Sequence, residues 1–355
     1  MYKKFLMGIA AMAALTLVSC SSDDLDSLSD NSSKNEAISF DGYLGRSAVA
    51  VNGSRGSVEK KDQLKTDGFG VFGNYNSTGG QNFGSNLFNN EKVYSSSSTE
   101  PATWTYKNIK YWPTEGNINF LAYAPYLEGK TLKDNTTSCI DFSVEGDVTK
   151  QKDLLWANAK DQTKANNSGA NKVKFTFNHA LAKIGYKVKL NNAYSTATIT
   201  LKKITLAGSA DGNTPAFYKT GTIDLSKTSS DSEGLWTNQS SNDKQKFDWF
   251  SNNTQILSTT DYTNPTTDYL FVIPQDFSKT EEGADKLYVI VDYTIKYNNG
   301  ETAEMKSTVS SQIKKNFEQG KAYTINLTIG LTPIEFNAEV NDWVDDNTIP
   351  EIPLN

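Results

Sequence analysis

The chain has 355 residues, more than one ordinary domain needs, and a net charge of -6 from 35 lysines and arginines against 41 aspartates and glutamates. No long basic run follows the N-terminal leader, which argues against a nucleic-acid surface. Aromatic residues, 11% of the chain, sit among Thr, Val and Ile in short alternating runs punctuated by Gly and Asn, so the composition is that of an all-β protein.

Phe5 to Val18 is a strongly apolar stretch of about 14 residues, shorter than the roughly 20 that a spanning helix requires. Lys3 and Lys4 precede it and Ser19-Cys20 closes it, the layout of a signal peptide over residues 1–20. Leu17-Val18-Ser19-Cys20 resembles a lipobox, which makes Cys20 the expected lipidation site; a plain secretory signal is the alternative. Ser21 to Glu36 is polar, acidic and aperiodic, a tether. Asp23 and Asp24 resemble an acidic signal for surface export of lipoproteins.

Ile38-Ser39-Phe40-Asp41-Gly42-Tyr43 is the first strand expected. Arg46 and Arg55 follow in small, Gly-flanked, loop-like segments, where an Arg-specific protease finds substrate; the alternative is two ordinary surface arginines. Gly68 to Gly73 reads as a strand, and Asn74 to Glu100 as a long polar loop. Trp104, Tyr106, Tyr111 and Trp112 then recur at close to period two, either as cross-strand core pairs or as a glycan-stacking platform. Further strands are expected at Ile118–Tyr126, Cys139–Val144 and Leu154–Ala157. Asn158 to Asn171 reads as a boundary between domains at 47–170 and 171–333.

The second half supplies strands at Val173–Phe177, Tyr186–Leu190, Ile199–Ala207, Gly221–Leu225, Asp268–Pro274 and Leu287–Tyr297, a sandwich-sized set. His179 is the only histidine, so no histidine pair exists for zinc and no Ser-His-Asp set forms except around it; a packed, hydrogen-bonded role is its default. Neither GxxxxGK[ST] nor a helix-opening GxGxxG is present. Asp342, Asp345 and Asp346 lack the spacing of a calcium loop. The reading is therefore no enzyme, no metal and no cofactor. Cys139, alone once Cys20 is lipidated, is a small core or edge residue.

The tail, Lys321 to Asp345, holds two alternating runs broken at Gly330 and Pro333. Tyr323, Ile325, Leu327 and Ile329 share one face of an extended chain. Ile334, Phe336, Ala338 and Val340 repeat the pattern with no hairpin partner beyond them, so this strand needs a sheet edge, its own or a neighbour's.

Taken in order, several motifs resemble the fimbrillin family of pilin and pilus-associated lipoproteins. They are the Cys20 lipobox, Ile38-x-Phe40 followed by an arginine, Gly68-Phe-Gly-Val71-Phe, Trp104-x-Tyr106 through Lys110-Tyr-Trp-Pro113, and Phe120-Leu-Ala-Tyr-Ala-Pro125. Phe177-x-His179-x-Leu181-Ala-Lys-Ile184, Gly320-Lys-Ala-Tyr-Thr-Ile325 and Val340-Asn-Asp-Trp343 continue the series. The resemblance implies two tandem transthyretin-like β-sandwich domains and a C-terminal donor strand over residues 334–355. It also implies export as a lipoprotein to the outer membrane and cleavage after Arg46 or Arg55. Cleavage would remove the tether and first strand (residues 21–46, with Ile38, Phe40 and Tyr43). The implied function is a structural subunit of a surface pilus that supports adhesion. Its donor residues Ile334, Phe336, Ala338, Val340 and Trp343 would fill the vacated groove of a neighbouring copy. Implied partners are other pilus subunits, an Arg-specific protease and, before processing, the membrane. A lipid-anchored pilus anchor and a non-pilus glycan-binding surface lipoprotein are the alternatives.

Overall fold

The computed structural model describes residues 36–44, 61–95, 103–134, 137–167, 172–228, 235–237, 239, 243–250, 255–258, 260–262, 269–300, 302–332 and 336–342. In chain order these form β1 (Phe40–Leu44), α1 (Lys61–Asp67), β2 (Phe69–Asn76), β3 (Phe88–Ser95), β4 (Trp104–Thr105), β5 (Asn117–Ala124), β6 (Cys139–Ser143), β7 (Leu155–Gln162) and β8 (Val173–His179). Then follow β9 (Ala182–Leu190), β10 (Ala197–Ala207), β11 (Phe217–Tyr218), β12 (Thr220–Asp224), β13 (Trp236–Thr237), β14 (Lys244–Gln245), β15 (Phe247–Phe250) and β16 (Gln255–Leu257). The series ends with β17 (Leu270–Val272), β18 (Gln275–Asp276), β19 (Leu287–Tyr297), β20 (Met305–Ile313), β21 (Asn316–Phe317), β22 (Ala322–Ile329) and β23 (Asn337–Asp342). All-β is what the composition called for.

The largest sheet has seven strands in the order β1-β8-β7-β5-β2-β3-β4. A five-stranded sheet runs β15-β10-β19-β20 with β16 also on β10, and a four-stranded sheet runs β17-β9-β22-β23. β5 explains how the layers meet. Its sequence is almost continuously apolar because both faces are covered: Ile118, Phe120 and Ala122 belong to one buried cluster, Leu121 and Tyr123 to the other. The first cluster holds Phe40, Phe69, Phe88, Trp104 and Phe175. The second joins Phe72, Leu121, Tyr123 and Trp156 of the large sheet to Tyr186, Leu201, Val289 and Ile325 of the later sheets.

The boundary expected at 170 does not divide the sheets. β8, expected to open the second sandwich, completes the first sheet by pairing parallel with β1 and antiparallel with β7. β6, expected in the first half, pairs with β12. Side chains bind the halves further. The Trp156 indole donates to the Lys227 carbonyl (3.1 Å), and the Phe271 amide donates to the Gln151 side chain (2.8 Å).

The expected loop from Asn74 to Glu100 contains β3. A bulge between Val71 and Gly73 sets their partners Glu91 and Phe88 three residues apart, and Asn90 has φ 53°. Only Phe88 and Val93 are fully buried in β3, so its period-two signal is broken where the strand bulges.

Candidate functional site: the first strand and the last

β1 and the residues just before it lie in a slot. On one side the Val173 amide donates to the Ser39 carbonyl (2.9 Å), and β1 continues parallel to β8 with Phe40 opposite Val173, Gly42 opposite Phe175 and Leu44 opposite Phe177. On the other, Ala37 bridges Tyr111, the Ile38 amide donates to the Lys110 carbonyl (2.8 Å) and the Trp112 amide to the Glu36 carbonyl (3.0 Å). The Tyr106 hydroxyl donates to the Ile38 carbonyl (2.8 Å) and accepts from the Lys110 amide (3.1 Å). Burial of that phenol raises its pKa, so it remains a donor at neutral pH.

Ile38 and Phe40 are each 1% exposed. The Phe40 ring stands 5.4–5.7 Å from the rings of Phe88, Tyr106, Phe120 and Phe175. At Gly42 an added Cβ would come within 3.1 Å of the Phe69 ring, 3.4 Å of Phe177 and 3.5 Å of Trp104. The slot therefore reads, in order, large aliphatic, large aromatic, almost nothing. Burying Ile38 and Phe40 contributes about 1.5–3 kcal/mol each. Tyr106→Phe is expected to weaken the seat by about 0.5–1.5 kcal/mol, measured as a lower urea midpoint of the chain with β1 in place.

The tail has a partner within its own molecule, and it precedes the strand. β23 pairs antiparallel with β22, from Tyr323 opposite Asp342 to Thr328 opposite Asn337. Phe336, Ala338 and Val340 are half-buried against the second cluster, whereas Asn337 and Glu339 are exposed, so the expected alternation is observed. β23 is an edge strand. The contrast with β1 is one of enclosure: β1 is walled in by aromatic rings, β23 lies against its sheet with its apolar face half covered.

Cys20, Arg46, Arg55, Ile334, Trp343 and the side chains of Tyr43 and Leu44 lie outside the described residues. One signal about the arginines is readable from the residue counts: Arg46 and Arg55 are the only two in the chain. Both fall between β1 and α1, so an arginine-specific protease has no other place to cut.

The proposed aromatic platform is not assembled. Trp104, Tyr106 and Trp112 are 9%, 5% and 4% exposed, core residues around β1, and of the four only Tyr111 faces solvent at 54%. His179 is buried and packed, its Nδ1 2.5 Å from an Asp153 oxygen. Among the described residues no group of His, Cys, Asp and Glu could hold a metal ion, and no helix is long and apolar enough to cross a membrane. Cys139 is a half-buried free thiol in β6.

Stacked, stitched sheets with an aromatic-walled strand slot define an all-β protein. A family model described as fimbrillin-like matches residues 57–343, and the chain belongs to that family. A solved fimbrial protein from Bacteroides vulgatus shares the fold, with a TM-score of 0.61 and 22% identity over 86% of this chain and 98% of that one. A candidate cell adhesion protein from Bacteroides uniformis aligns with a TM-score of 0.49 and 15% identity over 87% of this chain and 99% of its own. No curated protein matches the chain.

Proposed function

We propose that this chain is a subunit of a cell-surface pilus, exported as a lipoprotein, freed of β1 by cleavage after Arg46 or Arg55, and joined to its neighbour by β23 entering the vacated slot. The observation that carries the reading is the pairing of a first strand whose Ile38 and Phe40 are buried among aromatic rings, followed by the only two arginines, with a half-covered last strand of the same alternation. Loss of β1 leaves Phe88, Tyr106, Phe120 and Phe175 facing an empty channel and strands the backbone of β8. Phe336, Ala338 and Val340 gain burial by moving from their own sheet edge into that channel, at roughly 25 cal/mol per Å² of apolar surface removed from water, and the ladder bonds are replaced one for one. Such a contact is head-to-tail, so it continues into a filament instead of closing into a ring. Membership of the fimbrillin-like family and the likeness to a fimbrial protein support a surface and adhesive role.

Truncation after Pro333 tests the reading. The truncated chain is expected to fold and remain monomeric after arginine-specific digestion, while the full chain forms a ladder of oligomers; ladders of equal length from both would end the proposal. A pilus anchor of the same fold keeps β1 seated and Cys20 lipidated. Mass spectrometry of the mature N-terminus separates the two, a start at residue 47 or 56 marking the polymerising subunit.

A further inference from the structure

Granting the strand-exchange reading, the slot also dictates how the donor must sit. Ile38-Ser39-Phe40-Asp41-Gly42-Tyr43-Leu44 and Ile334-Glu335-Phe336-Asn337-Ala338-Glu339-Val340 carry the same order of side-chain sizes at alternate positions: Ile on Ile, Phe on Phe, the smallest residue on the next smallest, Leu on Val, while Ser39 and Tyr43 between them meet Glu335 and Glu339. Apolar alternation alone is common to many strands. The small residue two places after the phenylalanine is not, and it answers a feature of the slot.

At Gly42 a methyl group meets Phe69 at 3.1 Å and needs a shift of a few tenths of an ångström, whereas any larger side chain collides with Phe69, Phe177 and Trp104 together. Two residues earlier the space is the size of a phenyl ring among four others. We infer that Phe336 takes the place of Phe40 and Ala338 that of Gly42. The donor then runs in the direction of β1, parallel to β8, with Phe336 opposite Val173, Ala338 opposite Phe175 and Val340 opposite Phe177. Its owner is a second copy of this chain.

Alternative seatings fail on volume. Reversed about the same centre, the donor puts Phe336 into the Gly42 position and Ala338 into the Phe40 position, overfilling one site and leaving a ring-sized void in the other. A slip of one residue turns Asn337 and Glu339 into the aromatic cluster. A slip of two places Ala338 in the Phe40 void or Phe336 on Gly42.

The test uses single-cysteine chains in a Cys139→Ser background, with Cys20 removed by the arginine-specific digestion itself. An acceptor carrying Lys174→Cys and a donor carrying Glu335→Cys, Asn337→Cys or Glu339→Cys are each digested, mixed and oxidised, which leaves the inward-facing anchors intact. Residue 337 falls opposite Lys174 in the proposed register, as Asp41 does now, so only Asn337→Cys is expected to give a cross-linked pair. Separately, Ala338→Phe is expected to abolish the oligomer ladder and Ala338→Gly to retain it. Residue 338 is only half-buried in its own sheet, so the thermal midpoint of the Ala338→Phe monomer is expected to match the parent. A cross-link through Glu335→Cys or Glu339→Cys in place of Asn337→Cys, a cross-link through none of the three while the ladder forms, or an undiminished ladder from Ala338→Phe, overturns the register while exchange stands. Failure of the digested parent chain to associate overturns exchange, and the register with it.

Discussion

Phe40→Ala should lower the stability of the unprocessed chain by about 3–5 kcal/mol and leave the assembled joint untouched. The first half follows from its surroundings. The ring is 1% exposed and faces four aromatic neighbours at 5.4–5.7 Å. Those neighbours are anchored in β3, β5, β8 and the segment after β4, so they cannot collapse together and a cavity remains. The second half follows from the proposed processing, which discards residue 40 before the slot receives Phe336. Denaturation of the unprocessed chain and of the assembled oligomer therefore gives opposite results for one substitution. The mirror substitution, Phe336→Ala, should change the unprocessed monomer much less, because its ring is only half-buried there, and weaken the oligomer severely. Equal losses in both states for Phe40→Ala would mean that β1 stays in the mature protein.

Asp153→Ala should be the most damaging polar substitution among the described residues, destabilising the chain by about 3–5 kcal/mol in chemical denaturation. Asp153 is 1% exposed and His179 7%, with 2.5 Å between Asp153 Oδ2 and His179 Nδ1. Nε2 of the histidine and the second oxygen of the aspartate are both buried without a hydrogen-bond partner, so the single contact carries the whole compensation for burying two polar groups. Removing the aspartate leaves the imidazole with nothing. His179 ends β8, opposite Leu155 of β7, and the pair thus pins the rear of the acceptor strand. By contrast Glu304→Ala, which loses a 3.9 Å ion pair to the half-exposed Lys202, should change stability by less than about 1 kcal/mol. A loss of that small size at Asp153 would show that the pair is dispensable.

The first strand and the last were readable from residue order, because each is short with a clean period of two. Phe336, Ala338 and Val340 turn inward and Asn337 and Glu339 outward as their spacing requires. What residue order hides is pairing. β8 belongs with β1 across more than a hundred intervening residues, and β9 with β22 over a still longer separation, and nothing local distinguishes a strand that ends one sheet from a strand that begins the next. The bulge in β3 erased its alternation, and polar residues around Phe88 and Val93 made a strand look like a loop. Trp104, Tyr106 and Trp112 read equally as cross-strand core pairs or as a surface platform, because core aromatics and ligand-stacking aromatics share the same spacing, and the core reading is the one observed. Only burial tells them apart.

The lengthwise partnership of β1 with β8 also bears on the interval before the fold is complete. During synthesis β1 emerges long before β8 exists, and pairings of such sequence separation form slowly. The folding chain therefore passes through a stage with its aromatic channel open, the same shape that the proposed cleavage would create. What protects it is the covalent leash: β1 is held at an effective concentration on the order of millimolar, far above that of any stray tail, and wins the channel as soon as it forms. On this account the first strand acts as a chaperone carried in cis, and under the proposed processing its guardianship would lapse at cleavage.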